Sequence, residues 1–221
     1  MERSLNSLYT AQFPELSPLQ HQQLSQLKSL YEKWNALINV VSRKDMDDFD
    51  ERHVLHSLAI YALGQIPADA QVLDVGTGGG FPGIPLAIAN PSARFLLIDG
   101  RGKKIQVVQA IIDALGLQNV RAEAVRSEQL EGKFDVITAR AVTQLPPLVQ
   151  QIRHLALPSG KTQLLALKGG DLTEELRSYP NAQVWNLTNL FDGPFFETKK
   201  LLRLPIKPAK FKKGLNRSTS E

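Results

Sequence analysis

The sequence predicts an α/β fold: a mostly parallel, seven-stranded sheet with helices on both faces, an antiparallel hairpin at its edge and a helical extension in front. Three observations predict it. From Gln71 onward, short apolar runs alternate with stretches of helical period. The first run, Val72-Leu73-Asp74-Val75, breaks into the glycine-rich turn Gly76-Thr77-Gly78-Gly79-Gly80-Phe81-Pro82-Gly83, which delivers a strand to a point where a ligand can approach the backbone closely. The last two strand-like runs flank the turn Phe191-Asp192-Gly193-Pro194, as a hairpin requires.

Taken in order, the first seventy or so residues read as two helices. Leu24, Leu27, Leu30, Tyr31, Trp34, Leu37, Ile38 and Val41 recur at three- and four-residue spacing behind the cap pair Ser17-Pro18. A second helix is expected over 47–63, with Val54, Leu55, Leu58 and Ala62 on its apolar side. Neither helix can bury its stripe alone, so both should pack on the main domain. Strands are expected at 72–75, 95–99, 120–125, 134–138 and 162–167, with helices over 84–89, 103–115 and 144–154 between them. Two further strands, 183–190 and 195–204, make the closing hairpin. The organisation is an N-terminal extension (1–66), a main domain (67–205) and a basic tail (206–221).

Composition narrows the chemistry. The 221 residues include no cysteine, which excludes disulfides, thiolate metal sites and a cysteine nucleophile. No apolar run of spanning length and no cationic start followed by an apolar segment is present, so a cytoplasmic protein is expected. The net charge is only +4, yet residues 199–217 hold eight basic and no acidic side chains, which suits a polyanion or else a solvated end. His53 and His56 stand three apart on the second helix, but with no third ligand they read as structural, and no metal is expected.

Two ligand classes use a strand followed by a glycine turn. The spacing Gly78-x-Gly80-x-x-Gly83 suits a dinucleotide formally, but Pro82 removes a backbone donor and Asp74 would repel a pyrophosphate. A carboxylate at the strand end suits a cation instead, and S-adenosylmethionine carries a sulfonium and an ammonium group. Asp99, closing the second apolar run, could accept hydrogen bonds from both ribose hydroxyls of either ligand. In open α/β sheets the ligand lies beyond the carboxyl ends of the strands. There the third run is followed by Arg126-Ser127-Glu128, the fourth by Arg140-Ala141 and the fifth by Lys168-Gly169-Gly170. Three cations converging on that rim suit the phosphates of RNA or DNA, although each alone could be a surface charge. After the fourth run stands Thr138-Ala139-Arg140-Ala141, without the amide or carboxylate, prolines and aromatic typical of exocyclic-amine methylation. A ring nitrogen, which presents its own lone pair and needs no general base, remains open as acceptor.

At these positions the chain resembles the ribosomal RNA small subunit methyltransferase G proteins. The resemblance runs through Lys33-Trp34-Asn35 and Asn39, Arg52-His53 and Ser57, the turn from Asp74 to Leu86, Asp99 with Lys103-Lys104, Arg126, Arg140-Ala141 and Leu167-Lys168-Gly169. His56 stands where such proteins usually carry an acid, and Gly79 where many carry proline. The resemblance implies a Rossmann-like class I fold and methyl transfer from S-adenosylmethionine to N7 of a guanine in the 530 loop of 16S rRNA, guanine 527. It places Gly76, Phe81, Ser127, Glu128 and Arg140 at the cofactor, with Asp74, Gly78 and Asp99 as neighbours. Arg126 and Lys168 would face the RNA, completing with Arg140 a catalytic set. It further implies 16S rRNA or a small-subunit precursor as partner, no membrane or metal, and a monomer.

Overall fold

The computed structural model describes residues 5–209. Seven strands, β1 (Gln71–Val75), β2 (Arg94–Ile98), β3 (Val120–Glu123), β4 (Val136–Arg140), β5 (Gln163–Gly169), β6 (Gln183–Asn186) and β7 (Lys199–Pro205), form one sheet in the order β3-β2-β1-β4-β5-β7-β6. The first five are parallel, and β7 runs against both β5 and β6. The expected hairpin is present, with its reversed strand one place inside the edge.

Alternation along each strand divides the core in two, because successive side chains point to opposite faces. Val72, Phe95, Leu97, Val136, Leu165, Leu167 and Leu201 join one cluster, with α4 (Gly83–Ala89), α5 (Gly102–Leu115) and the helices that precede β1. Leu73, Leu96, Ile98, Ile137, Leu164 and Leu202 join the other, covered by α6 (Leu145–Ile152), with Leu176 of the short α7 (Thr173–Leu176) packed against it. β1, β2, β4 and β5 are buried on both faces and so read as continuous apolar runs.

Three helices lie ahead of β1: α1 (Leu5–Gln12), α2 (Pro18–Asn35) and α3 (His56–Ala62). Ser17 and Gln20 form a reciprocal capping box on α2, with Pro18 in its first turn. The amide of Gln20 also reaches the Ile88 carbonyl at the end of α4 (2.8 Å). The apolar period predicts a helix running on to Val41, but α2 ends at Asn35. The Asn35 side chain captures the backbone N–H groups of Val40 (2.8 Å) and Val41 (3.0 Å) and donates to the Val41 carbonyl (2.8 Å), pulling the chain into a loop. The helix expected over 47–63 begins as a π-helical turn, Asp50–Leu55, before continuing as α3. Strand boundaries shift as well. β3 stops at Glu123, β4 runs on to Arg140, and 3₁₀ turns at Leu187–Asn189 and Phe196–Thr198 occupy ends of the segments expected as the closing strands. Helices α1 and α7 are not anticipated by the periodicity. Of the basic tail, Lys210, Lys212, Lys213 and Arg217 lie outside the described residues.

The seam between the π turn and the sheet encloses two imidazoles. His56 is 6% exposed, its ring edge-on to Phe195 (5.3 Å between centroids), and His53 stacks obliquely on Phe81 (5.0 Å). Burial, aided by the Arg140 guanidinium, lowers the pKa of His53 to about 4 and that of His56 to about 3. The unfolded chain takes up these protons near pH 6.5, before the native state does. Between pH 6.5 and about 4 the unfolded state therefore binds more protons, and stability falls as pH falls. Each histidine contributes a slope approaching ~1.4 kcal/mol per pH unit. His56→Leu should flatten the pH dependence of urea unfolding by about that amount; an unchanged slope would mean that His56 is protonated in the native state.

Candidate active site

The glycine turn is held from beneath by Asp74. The carboxylate is fully buried and accepts from Thr77 Oγ1 (2.6 Å) in the turn, the Gly83 N–H (3.0 Å) at the start of α4 and Thr138 Oγ1 (2.8 Å) in β4. Burial pushes its pKa up to about 6, while these three donors pull the other way. Gly76 and Gly83 are two of the turn's glycines that a side chain would crowd. Gly76 has φ +63° and would bring a Cβ to 3.0 Å from Val142, and a Cβ on Gly83 would stand 2.6 Å from Leu97 and 2.8 Å from Asp74. The Thr77 N–H donates to the Ile98 carbonyl (2.9 Å), tying the turn to the end of β2.

The N-terminal helices grip the same turn from the side. The buried Tyr31 hydroxyl of α2 donates to the Gly79 carbonyl, and Val40 lies against Gly79. Phe81 is 2% exposed and sits within a cluster of Tyr31, Phe49 and His53, with the Arg140 guanidinium 5.1 Å above its ring centroid.

Beyond the carboxyl ends of β1, β2 and β3 opens a groove of about 260 Å³, lined among others by Gly76, Asp99, Arg126, Ser127, Glu128 and Val142. A larger cavity, about 600 Å³, lies at the opposite end of the sheet around Gln71, Arg94 and Val120. Ligands of open α/β sheets bind at the carboxyl ends, so the smaller groove is the candidate. Asp99 accepts from the Gly78 N–H (3.1 Å) with one oxygen and from the Arg101 N–H (2.9 Å) with the other. A carboxylate offers about four acceptor sites, so capacity remains for a ribose diol. Ser127 donates to Glu128 across 3.1 Å.

The structure thus gathers Gly76, Asp99, Arg126, Ser127 and Glu128 on one groove, with Gly78 bonded to Asp99 at its margin. It puts four of the residues marked out in the sequence elsewhere. Asp74 lies beneath the turn with both oxygens engaged, and Phe81 is enclosed behind it. Arg140 turns toward the π turn, donating to the Arg52 carbonyl (3.2 Å) and to His53 Nδ1 (3.0 Å); burial lowers its pKa to about 10, which leaves it charged. Lys168 is neutralised by Glu175 at 2.7 Å and also donates to the Thr143 carbonyl (2.8 Å). Sequence reasoning missed Tyr31, Thr77 and Thr138 as partners of the turn. Arg101, Lys103 and Lys104 open α5 with no acid in its first turn, and with Arg126 they form no ion pair among the described residues. That absence of acids was readable; the hydroxyl and phenol contacts were not.

The doubly wound sheet carries a glycine turn locked by one carboxylate and a groove bordered by a second, and the relatives of this chain make it an S-adenosylmethionine-dependent methyltransferase. A solved S-adenosylmethionine-dependent methyltransferase from Aquifex aeolicus shares the fold, with a TM-score of 0.52 at 15% identity over 75% of this chain and 99% of its own. The description of the rRNA small subunit methyltransferase G family matches residues 20–199. The ribosomal RNA small subunit methyltransferase G of Flavobacterium psychrophilum is 52% identical over 199 residues, covering 88% of this chain and 95% of its own. The protein of the same name from Flavobacterium johnsoniae is 50% identical over the same shares. The chain belongs to the rRNA small subunit methyltransferase G family, whose members act on the 16S rRNA.

Asp99→Ala should weaken S-adenosylmethionine binding by about 1.5–3 kcal/mol, the scale for losing charge-assisted hydrogen bonds. Calorimetric titration with unchanged affinity would take Asp99 out of the site. Tyr31→Phe should weaken S-adenosylmethionine binding by only about 0.5–1.5 kcal/mol, since it frees one turn carbonyl and leaves the ring packing intact; equal affinities would show that the turn keeps its shape without the Tyr31 hydroxyl.

Proposed function

We propose that the protein methylates N7 of a guanine in the 530 loop of 16S rRNA, guanine 527, on the small subunit or a precursor of it, as a cytoplasmic monomer. In this reading 67–205 is the methyltransferase domain, 1–66 its helical extension and 206–221 a basic tail. Arg126 carries the proposal: an exposed cation that forms no ion pair among the described residues and lines the same groove as Gly76 and Asp99. Arg101 and Lys103, exposed beside it, extend the charge along the approach to the groove, as a phosphate backbone requires.

The bound cofactor supplies an electrophilic methyl group on a sulfonium. Guanine N7 presents a lone pair, so no side chain has to remove a proton, and catalysis rests on alignment. The end of β4 and the residues after it agree, offering Arg140 and then Ala141-Val142 in place of an amide or carboxylate. A base methylated at N7 would carry a positive charge. A cation against N7 would oppose that, so Arg126 belongs on a phosphate or on O6. Lys168, held by Glu175, would act on the protein, fixing the end of β5 near the start of α6, whose Leu145 N–H the same carboxylate accepts (2.7 Å). Among the described residues no helix is long and apolar enough to cross a membrane, and no cluster of three metal-ligating side chains forms.

The test is to incubate the protein and labelled S-adenosylmethionine with small ribosomal subunits, naked 16S rRNA and a short hairpin, then map the modified base. A methylated base other than guanine, or a guanine modified elsewhere than N7, would overturn the proposal. Arg126→Ala should lower methylation of RNA far more than cofactor affinity and reduce the salt slope of RNA binding by about 0.7–0.9. Equal losses of RNA methylation and cofactor affinity would place Arg126 on the cofactor instead.

A further inference from the structure

We propose that His53 is a positioning residue for the cofactor site, acting through Arg140. The Arg140 guanidinium has donors only, so at 3.0 Å the Nδ1 of His53 must accept and the ring must carry its proton on Nε2. The second arm of the guanidinium is held by the Arg52 carbonyl at 3.2 Å. The two contacts lay it over the Phe81 ring, which His53 itself touches at 5.0 Å between centroids. One imidazole therefore bears on both ends of the cofactor turn. Through Phe81 it meets the residue where the turn closes. Through Arg140 it fixes the last residue of β4, after which Ala141 takes φ +52° and Val142 packs against Gly76 in the groove. A non-glycine residue in that conformation is held by its surroundings, and the Arg140 anchor is the contact immediately before it.

A purely structural role explains His53 poorly. Among the described residues its enclosed Nε2 has no hydrogen-bond partner; Asp45 Oδ2 stands 3.9 Å away, and the other oxygen of Asp45 is bonded to Arg52 at 2.7 Å. An enclosed, unpartnered N–H is destabilising, and an apolar side chain would fill the same place without it. What an apolar side chain cannot supply is an acceptor for Arg140. Held neutral by burial, the imidazole supplies one without adding a second cation beside the guanidinium. The π-helical turn contributes as well: it is an uncommon geometry that recurs at functional sites, and it carries both the Arg52 carbonyl and the His53 ring that grip Arg140.

The inference concerns the cofactor step and stands apart from which base is methylated, so it is read without RNA. In the full chain, His53→Leu removes the acceptor, and His53→Asn keeps one at nearly the position of Nδ1. Calorimetric titration with S-adenosylmethionine should show affinity falling about tenfold or more for His53→Leu. His53→Asn should recover most of that loss. In an Arg140→Lys background, which lacks the two-armed fork, His53→Leu should have little further effect. Wild-type affinity in His53→Leu, equal damage in His53→Asn, or full additivity with Arg140→Lys would each overturn the proposal. If His53→Leu fails to fold, His53→Asn alone decides: near-wild-type affinity supports the role, and a tenfold loss refutes it.

Discussion

The arrangement depends on one buried charge. Asp74 receives hydrogen bonds from a turn threonine, a helix-start amide and a β4 threonine, so a single carboxylate ties β1, the glycine turn, α4 and β4 together. A carboxylate wholly removed from water is costly, and its raised pKa records that cost; donors on both oxygens make it tenable. The charge therefore shapes the backbone that a ligand meets, and the donors that satisfy it face inward. With the turn fixed from below, Gly76 takes its place on the groove beside Asp99 and the segment after β3.

A second set of contacts makes the site a joint property of the sheet and the helices ahead of it. Tyr31, Val40, Phe49 and His53 all precede β1, and all reach the glycine turn or the Phe81 ring that closes it. Tyr31 and Phe49 belong to the same apolar cluster as Val72, Phe95 and Leu97 of the sheet, and Val40 packs against it. In energetic terms the boundary between extension and main domain is a packed core, and displacement of one side is felt in the other.

The fold was legible because its signals are local. Apolar runs buried on both faces, the capping box at Ser17 and the turn at 191–194 each announce themselves within a few residues. Asp99, Arg126 and Ser127 were legible for a similar reason, since position at a strand end is enough to put them on the groove. Arg140 and Lys168 carry the same positional signal, yet their directions are set by partners that it does not name. His53 lies 87 residues from Arg140, and Glu175 sits on a helix of four residues, too short to show a period. The end of α2 escaped because one side chain, Asn35, outcompetes an apolar stripe that continues past it. Periodicity reports which face is apolar; it does not report where a polar side chain finds a better partner.

The placement of β7 bears on how the chain is made. β7 is the last strand in sequence, yet it lies between β5 and β6, pairing with both. As the polypeptide leaves the ribosome, β5 is complete by Gly169 and β6 by Asn186, but the outer edge of the first and the whole of the second lack a partner until residues 199–205 arrive. An unpaired strand edge is a template for another chain, so the interval before β7 is when self-association competes with folding. A chain cut short before Lys199 would hold the complete groove and glycine turn and still expose that edge, joining intact recognition chemistry to a sheet that cannot close.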